Sequence, residues 1–323
     1  MHKLSILSAI LALFMGPATA QTDYPSRPVT LIVPFAAGGP TDTVARLLGE
    51  SMTQTLGQQV VVENATGAGG TIAAGRVARA KPDGYTLLIH HIGQATSSAL
   101  YRKLPYDPAK DFAGIGLITD VPMVIVGRPN LPSNNVSELI EYIKANKDKI
   151  TLANAGLGAV SHLCGMLLQE ALGTQMTTVP YKGTGPAMND LMGSQVDLLC
   201  DQTTGATGPI NSGKVKAYAA TTLSRLKVLP NLPTLDEAGL KGFEVIVWHG
   251  LYAPKGTPQP VLDKLAGALQ TALKSPKVME RFAALGTEPV AQDRVTPAAL
   301  NQHLQAEIAK WKPIIEKAGV YAD

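Results

Sequence analysis

At 323 residues, with 45% hydrophobic and 16% charged side chains, the chain is long enough for two domains of ordinary size and too apolar to be a disordered one. Its 28 basic and 25 acidic side chains give a formal net charge of +3 without a basic stripe, which argues against nucleic acid as a partner. The first residues read as an export signal: Lys3 is followed by an apolar run over 4–15 and by Ala18-Thr19-Ala20, a small-x-small cleavage site. Cleavage there makes 1–20 a signal peptide and Gln21 the mature start, and leaves 27 basic against 25 acidic residues, a net +2. No later run is long and apolar enough to span a bilayer, and no cysteine follows the cleavage site to take a lipid, so a soluble, exported protein is expected.

In chain order, a β-rich run at 29–33 is stopped by Pro34, and the small-residue loop 35–39 leads into a helix with Pro40 at its first position. Strand, glycine loop and helix in that order expose unpaired N–H groups at the positive end of a helix dipole, where an anion can sit. The loop has no Lys or Arg, so main-chain donors would do the holding. Val44, Leu47, Leu48, Met52 and Leu56 recur at helical spacing until Gly57 closes the helix. A second strand at 59–63, the glycine-rich loop 64–70 and a helix over 71–80 repeat the order. A third strand at 85–89 carries His90 and His91 at its C-terminal end. Ligands of open parallel sheets lie beyond the carboxyl ends of strands, so 35–39, 66–70 and 90–94 are expected to converge there.

Residues 114–126 form an extended apolar stretch that reads as a crossing strand. Beyond it Asn135 and Glu138 have capping-box spacing ahead of Leu139, Ile140 and Ile143. A second βα series follows: a strand at 150–155, a loop at 156–161, a helix with Leu163, Leu167, Leu168 and Leu172 buried, a strand at 176–180, a loop and short helix from 181, and a strand at 195–200 ending at Asp201 and Gln202. One more strand spans 215–221, 242–252 reads as the return crossing, and helices over 258–273, 276–285 and 297–318 finish the chain. Two crossings imply an α/β fold of two lobes, each a mostly parallel sheet flanked by helices, joined by a double-strand hinge. Lobe 1 would hold 21–122 and 250–323, and lobe 2 would hold 123–249. Cys164 and Cys200 could pair after export, but each sits in an apolar run where a buried free thiol is the simpler expectation.

Enzyme chemistry finds little support. Ser161 beside His162 is not a triad, since adjacent helical residues point in different directions. The six His and two Cys show no metal-ligand spacing, and the P-loop-like start at 70–75 lacks its Lys and Ser/Thr. No catalytic residue, metal or cofactor is therefore expected. Ser161 either donates to a ligand carboxylate or caps its helix; His162 either packs or touches ligand; Asp201 binds a donor on the ligand or orients a loop. Phe35 and Trp248 are candidate apolar walls, with hinge packing the stronger expectation for Trp248.

Five segments, PFAAGGPTDTVAR (34–46), ENATGAGGTIAA (63–74), LPYDPAKDF (104–112), VPYKGTGPAMNDLMGSQVDL (179–198) and LPTLDEAGLKGFE (232–244), resemble in order the Bug-type extracytoplasmic solute receptors. These are the TctC-like binding proteins of tripartite tricarboxylate transporters. The resemblance covers essentially the mature chain. It implies a two-lobed, type II-like periplasmic binding protein that closes on a small carboxylate, often a dicarboxylate, held by amides of the first two glycine loops. The implied partners are TctA/TctB-like membrane subunits or a sensor, and a monomer is expected. On this reading the ligand meets Phe35, Ala36, Gly38, Gly39, Thr41 and Asp42 in the first loop and Gly67, Gly69 and Gly70 in the second. His90 and Gln94, in a stretch that varies among such receptors, tune ligand choice. Gly158, Ser161, His162, Gly183, Thr184 and Asp201 form the opposite wall. The low charge of both walls suits a mono- or dicarboxylate, aliphatic or aromatic such as terephthalate, better than a tricarboxylate. The rival reading is a secreted α/β enzyme acting on a small carboxylic acid.

Overall fold

The computed structural model describes residues 24–319, 321 and 322; the expected leader at 1–20 and mature start at Gln21 lie outside them. β1 (Val29–Val33) stops ahead of Pro34 and feeds α1 (Pro40–Leu56), which opens on proline and ends at Gly57 in the left-handed region, φ 68°. β2 (Val60–Asn64) passes through a short 3₁₀ turn, Ala68–Gly70, into α2 (Thr71–Ala78), and β3 (Thr86–His91) runs into α3 (Gly93–Leu100). After the long β4 (Phe112–Gly127) comes α4 (Val136–Asn146), where the Glu138 amide donates to Asn135 Oδ1 at 2.9 Å and the Asn134 amide to Glu138 Oε2 at 2.7 Å. That is a reciprocal cap read from the spacing alone.

The second βα series comprises β5 (Thr151–Asn154), α5 (Val160–Leu172), β6 (Thr177–Pro180), α6 (Thr184–Met192), β7 (Leu198–Gln202), α7 (Thr203–Asn211) and β8 (Lys216–Ala220). β9 (Ile246–Pro254) returns, followed by α8 (Gln259–Lys274), α9 (Pro276–Ala284) and α10 (Pro297–Ala318). The strands lie in the order β2-β1-β3-β9-β4-β7-β5-β6, with β8 also against β4. β1, β2 and β3 are mutually parallel, as are β5, β6 and β7.

β4 belongs to both halves. Its first part, to Pro122, pairs antiparallel with β9, and from Met123 onward it pairs with β7 and β8. β4 is buried along nearly its whole length, with α8, α10 and α7 packed on it, which is why it reads as a nearly continuous hydrophobic run. Trp248, on β9, is buried; its indole N–H donates to Glu307 at 3.0 Å and its ring meets His303 edge-on, so it pins α10 to the return strand.

Two helices lack a sequence signal. α3 is made of Gly, Gln, Ala, Thr and Ser up to its final Leu100, and α7 carries Gly205, Gly208 and Pro209. Neither shows apolar periodicity or good propensity, so tertiary packing decides them. The expectation of free thiols is also overturned: Cys164 on α5 and Cys200 on β7 form a disulfide, with Cα atoms 6.3 Å apart. Both residues are fully buried, as their apolar flanks implied; what those flanks did not reveal was their adjacency in space.

The bond joins residues 36 apart in sequence. The double variant Cys164→Ala/Cys200→Ala should lose about 3–4 kcal/mol of unfolding free energy, through the loop entropy returned to the unfolded chain. Urea unfolding in non-reducing buffer checks this; an unchanged midpoint would show that the crosslink does not constrain the unfolded state.

Candidate functional site

In the first half of the molecule the loop after β1 is held from inside. The Asp42 carboxylate accepts from the Gly38 amide at 2.9 Å, from Arg46 Nε at 2.9 Å and from Asn64 Nδ2 at 2.9 Å. Asn64 Nδ2 also donates to the Phe35 carbonyl at 2.9 Å. Burial pushes the Asp42 carboxyl upward, but the Arg46 hydrogen bonds and the Gly38 amide outweigh it, so the group stays below the usual carboxylate range. Asp42 therefore shapes the loop, and Gly38 spends its N–H on it.

Three buried imidazoles stand behind this loop. Phe35 stacks on His91 with centroids 4.7 Å apart, His90 and His91 meet edge-on at 5.1 Å, and His91 meets His249 of β9 at 5.9 Å. Burial pushes His90 and His249 down to about 3 and His91 well below its ordinary value, so all three are neutral at physiological pH. The Nδ1 atoms of His90 and His91 accept from the amides of His91 and Gly93, which places each ring proton on Nε2. His249 Nε2 lies 3.2 Å from the Thr41 hydroxyl.

The opposite wall is built from the ends of β5 and β7 and the starts of α5, α6 and α7. Ser161 does not cap α5, whose N-cap is Ala159; its Oγ accepts from the Ala155 amide at 2.8 Å, leaving its O–H to donate elsewhere. His162 Nδ1 accepts from the Gly158 amide at 3.3 Å, and burial lowers its proton affinity. Asp201 is fully buried, and desolvation pushes its carboxyl up to about 7, against a hydrogen bond with Thr184. Asn154 Nδ2, Asp201 Oδ1 and Gln202 Oε1 are buried without a hydrogen-bond partner. Such groups are costly unless something meets them.

Between the walls is a narrow cavity. Phe35, Gly39, Pro40, Thr41 and His91 line it from one side, and Ala155, Val160, Ser161, Thr184 and Gln202 from the other. The starts of α1, α5, α6 and α7 all reach it, and no Lys or Arg is among the described residues that line it. Its positive potential comes from helix termini alone.

The seam around the cavity is made largely of main chain. The Ala36 amide donates to the Lys182 carbonyl at 2.9 Å, and Tyr101 OH donates to the Leu157 carbonyl at 3.0 Å. A Cβ on Gly183 would lie 2.8 Å from the Ala36 nitrogen, and one on Gly69 would lie 2.1 Å from the Leu157 oxygen. The glycines let the halves meet at backbone distance.

Of the residues expected to meet ligand, Phe35, Gly39, Thr41, Ser161 and Thr184 line the cavity. Ala36, Gly38 and Asp42 are engaged within the loop or the seam. Gly69, Gly158 and Gly183 belong to the seam, Gly70 backs onto His90, and Gly67 lies against Ile72. His90, Gln94, His162 and Asp201 are buried behind the lining. His91 and Gln202 line it unforeseen, each one residue past a candidate. Side chains alternate along a strand, so one step changes the face.

A mixed sheet in two halves, a cavity between them at the strand ends, and helix N-termini converging on it define a two-lobed periplasmic binding protein. The match to "Tripartite tricarboxylate transporter family receptor" over residues 44–320 makes the assignment specific: the chain belongs to that family. It is similar to the solved structure of the periplasmic binding protein BugD, at 57% identity and a TM-score of 0.90, covering 92% of this chain and 99% of that one. MatC from Rhodopseudomonas palustris with bound malate is 44% identical with a TM-score of 0.87, over 90% of this chain and 100% of MatC. R. palustris Rpa4515 with adipate is 34% identical with a TM-score of 0.87, over 92% and 99%. Among the described residues no helix is long and apolar enough to cross a membrane.

Gly69→Ala places a methyl group 2.1 Å from the Leu157 carbonyl across the seam, at a residue with φ +59°. The variant should bind ligand at least about tenfold more weakly, because the backbone strain is common to both states whereas the clash with Leu157 penalises the closed one alone. Calorimetric titration beside a thermal melt distinguishes this from simple unfolding; unaltered affinity would mean that ligand binding does not need this contact.

Proposed function

We propose that the protein is an extracytoplasmic receptor whose lobes close on a small organic carboxylate, a dicarboxylate in preference, and which delivers it to membrane transporter subunits. The observation that carries this reading is the meeting of four helix N-termini on a cavity without a Lys or Arg in its described lining. Dipole ends and first-turn amides favour an anion but suit a low charge. The first-turn amides of α1, the hydroxyl of Ser161 and the amide of Gln202 hold the carboxylates, while Phe35 and His91 supply an apolar and neutral flank. Malate in MatC and adipate in Rpa4515 support an aliphatic diacid, and an aromatic diacid such as terephthalate belongs in the same screen. The lobes part about β4 near Pro122–Met123 and about the stretch entering β9. The expected export signal and the receptor family support a periplasmic location, where the protein would bind its ligand and leave it chemically unchanged.

A thermal-shift screen of purified protein with malate, succinate, adipate and terephthalate tests the reading. At least one acid should raise the midpoint in a concentration-dependent way and be recovered intact. No shift with any of them, or conversion of one, would overturn it. Ser161→Ala should weaken binding of the responding acid about tenfold or more, as expected for one hydrogen bond to a charged group, and should lower the ligand-free midpoint by a few degrees, because the buried Ala155 amide loses its acceptor.

A further inference from the structure

The carboxyl of Asp201 is buried against the seam, with no basic side chain among its described partners. It stands at the end of β7, opposite Val124 of β4 in the ladder. A Cβ placed on Gly205 of α7 would lie 2.7 Å from Asp201 Oδ2 and 2.9 Å from Pro40 Cγ, so the carboxyl and the cavity-lining proline of the other lobe share one corner. Thr184, its hydrogen-bond partner, and Gln202, its neighbour, both line the cavity. Asp201 is dry in this arrangement, with Pro40 at the same corner, and parting of the lobes there would return water to it.

No neighbouring charge relieves it. On α1 Asp42 is held by Arg46, on α6 Asp190 accepts from Tyr181 OH, and on β4 Asp120 pairs with Arg294. On β8 the Lys216 ammonium donates to the Leu131 and Ser133 carbonyls, and α7 carries no titratable side chain. His162 of α5, and His91 and His249 of the first lobe, are neutral. A ligand carboxylate brought into the adjoining cavity adds a like charge in a space that water has left, where two ionised carboxyls cannot both be accommodated cheaply.

We propose that Asp201 is the proton acceptor of the binding cycle: ionised while the lobes are open, protonated when they close on an acid, so that ligand binding takes up a proton and weakens as pH rises. This rests on the carboxylate reading and adds to it a charge rule, in which the closed site counts the ligand's charge and Asp201's together. Desolvation raises the Asp201 carboxyl to about 7 in the closed form. A group whose proton affinity is higher in the closed state favours closure at low pH, and that advantage is lost as pH climbs through the closed-state value.

The experiment is isothermal titration of the wild-type protein with malate between pH 6.5 and 8, in buffers of different ionisation enthalpy, with Asp201→Asn in parallel. Malate carries nearly its full charge throughout that range, so proton uptake reports on the protein. The wild type should take up about 0.8 proton per ligand at pH 6.5 and about 0.1 at pH 8, with affinity falling about fourfold between them. D201N should show neither the uptake nor the slope. Absence of uptake in the wild type overturns the proposal, and so does uptake that persists in D201N, which would assign it to the histidines. If malate fails to bind, succinate, adipate and terephthalate follow in the same titration. Failure of all four overturns the receptor reading and this one with it, whereas pH-independent binding overturns only this one.

Discussion

The structure depends on helix starts being brought to one point. Each of the three lobe-2 helices that reach the cavity, α5, α6 and α7, follows a strand of the central sheet, and α1 does the same from lobe 1. Parallel βα units put strand ends and helix starts on the same edge, so two lobes facing each other across that edge oppose four dipole ends. At about 0.3–1 kcal/mol each, the dipoles amount to roughly 1–4 kcal/mol, short of the roughly 8 kcal/mol of a micromolar complex. The difference must come from charge-assisted hydrogen bonds, worth about 1.5–3 kcal/mol each, and these need the donors of both walls at contact distance. On the proposed reading, affinity is therefore a property of the closed form.

That dependence distinguishes this site from one built on an arginine. A guanidinium attracts an acid at a distance and in the open state, whereas amide and hydroxyl donors act only in contact and only once water has left. A receptor that has to release its cargo gains from the second arrangement, since opening the lobes removes nearly all of the grip. The seam is constructed for this: glycines at 69 and 183 let main chain approach main chain, and the bonds Ala36 to Lys182 and Tyr101 to Leu157 form between lobes. Those few contacts leave the balance between open and closed to the ligand.

Most of the frame was legible in the chain. Pro40 and Gly57 bracket α1, the Asn135 and Glu138 spacing marks the start of α4, and the apolar run of β4 announces a strand covered on both faces. α3 and α7 were not, because their small polar residues and glycines become helical only where the rest of the fold covers them. The cavity was legible in part: Phe35, Gly39, Thr41, Ser161 and Thr184 line it, while Gly67, Gly69 and Gly70 of the second loop, expected to hold the ligand, do not. The sequence shows that the ends of β3 and β7 matter, but whether His90 or His91, Asp201 or Gln202, faces the ligand is a question of strand phase, which neighbouring strands set. Asp42 illustrates a different difficulty: an acidic residue in a first helical turn looks like a ligand contact until Arg46 and Asn64 are seen to hold it.

The disulfide has a place in the same logic. Cys164 lies one turn beyond Ser161 on α5, and Cys200 shares a strand face with Gln202 on β7, so the bond ties together the two elements that present lobe 2's hydroxyl and amide to the cavity. Donors that count only at contact distance have to be held in place before the ligand arrives, because any ordering left until binding is subtracted from affinity. The Asp42, Arg46 and Asn64 cluster does the equivalent for the lobe 1 loop, using hydrogen bonds in place of a covalent link. Each wall is thus braced by itself, by different chemistry, and on the proposed reading motion is left to the strands that join them.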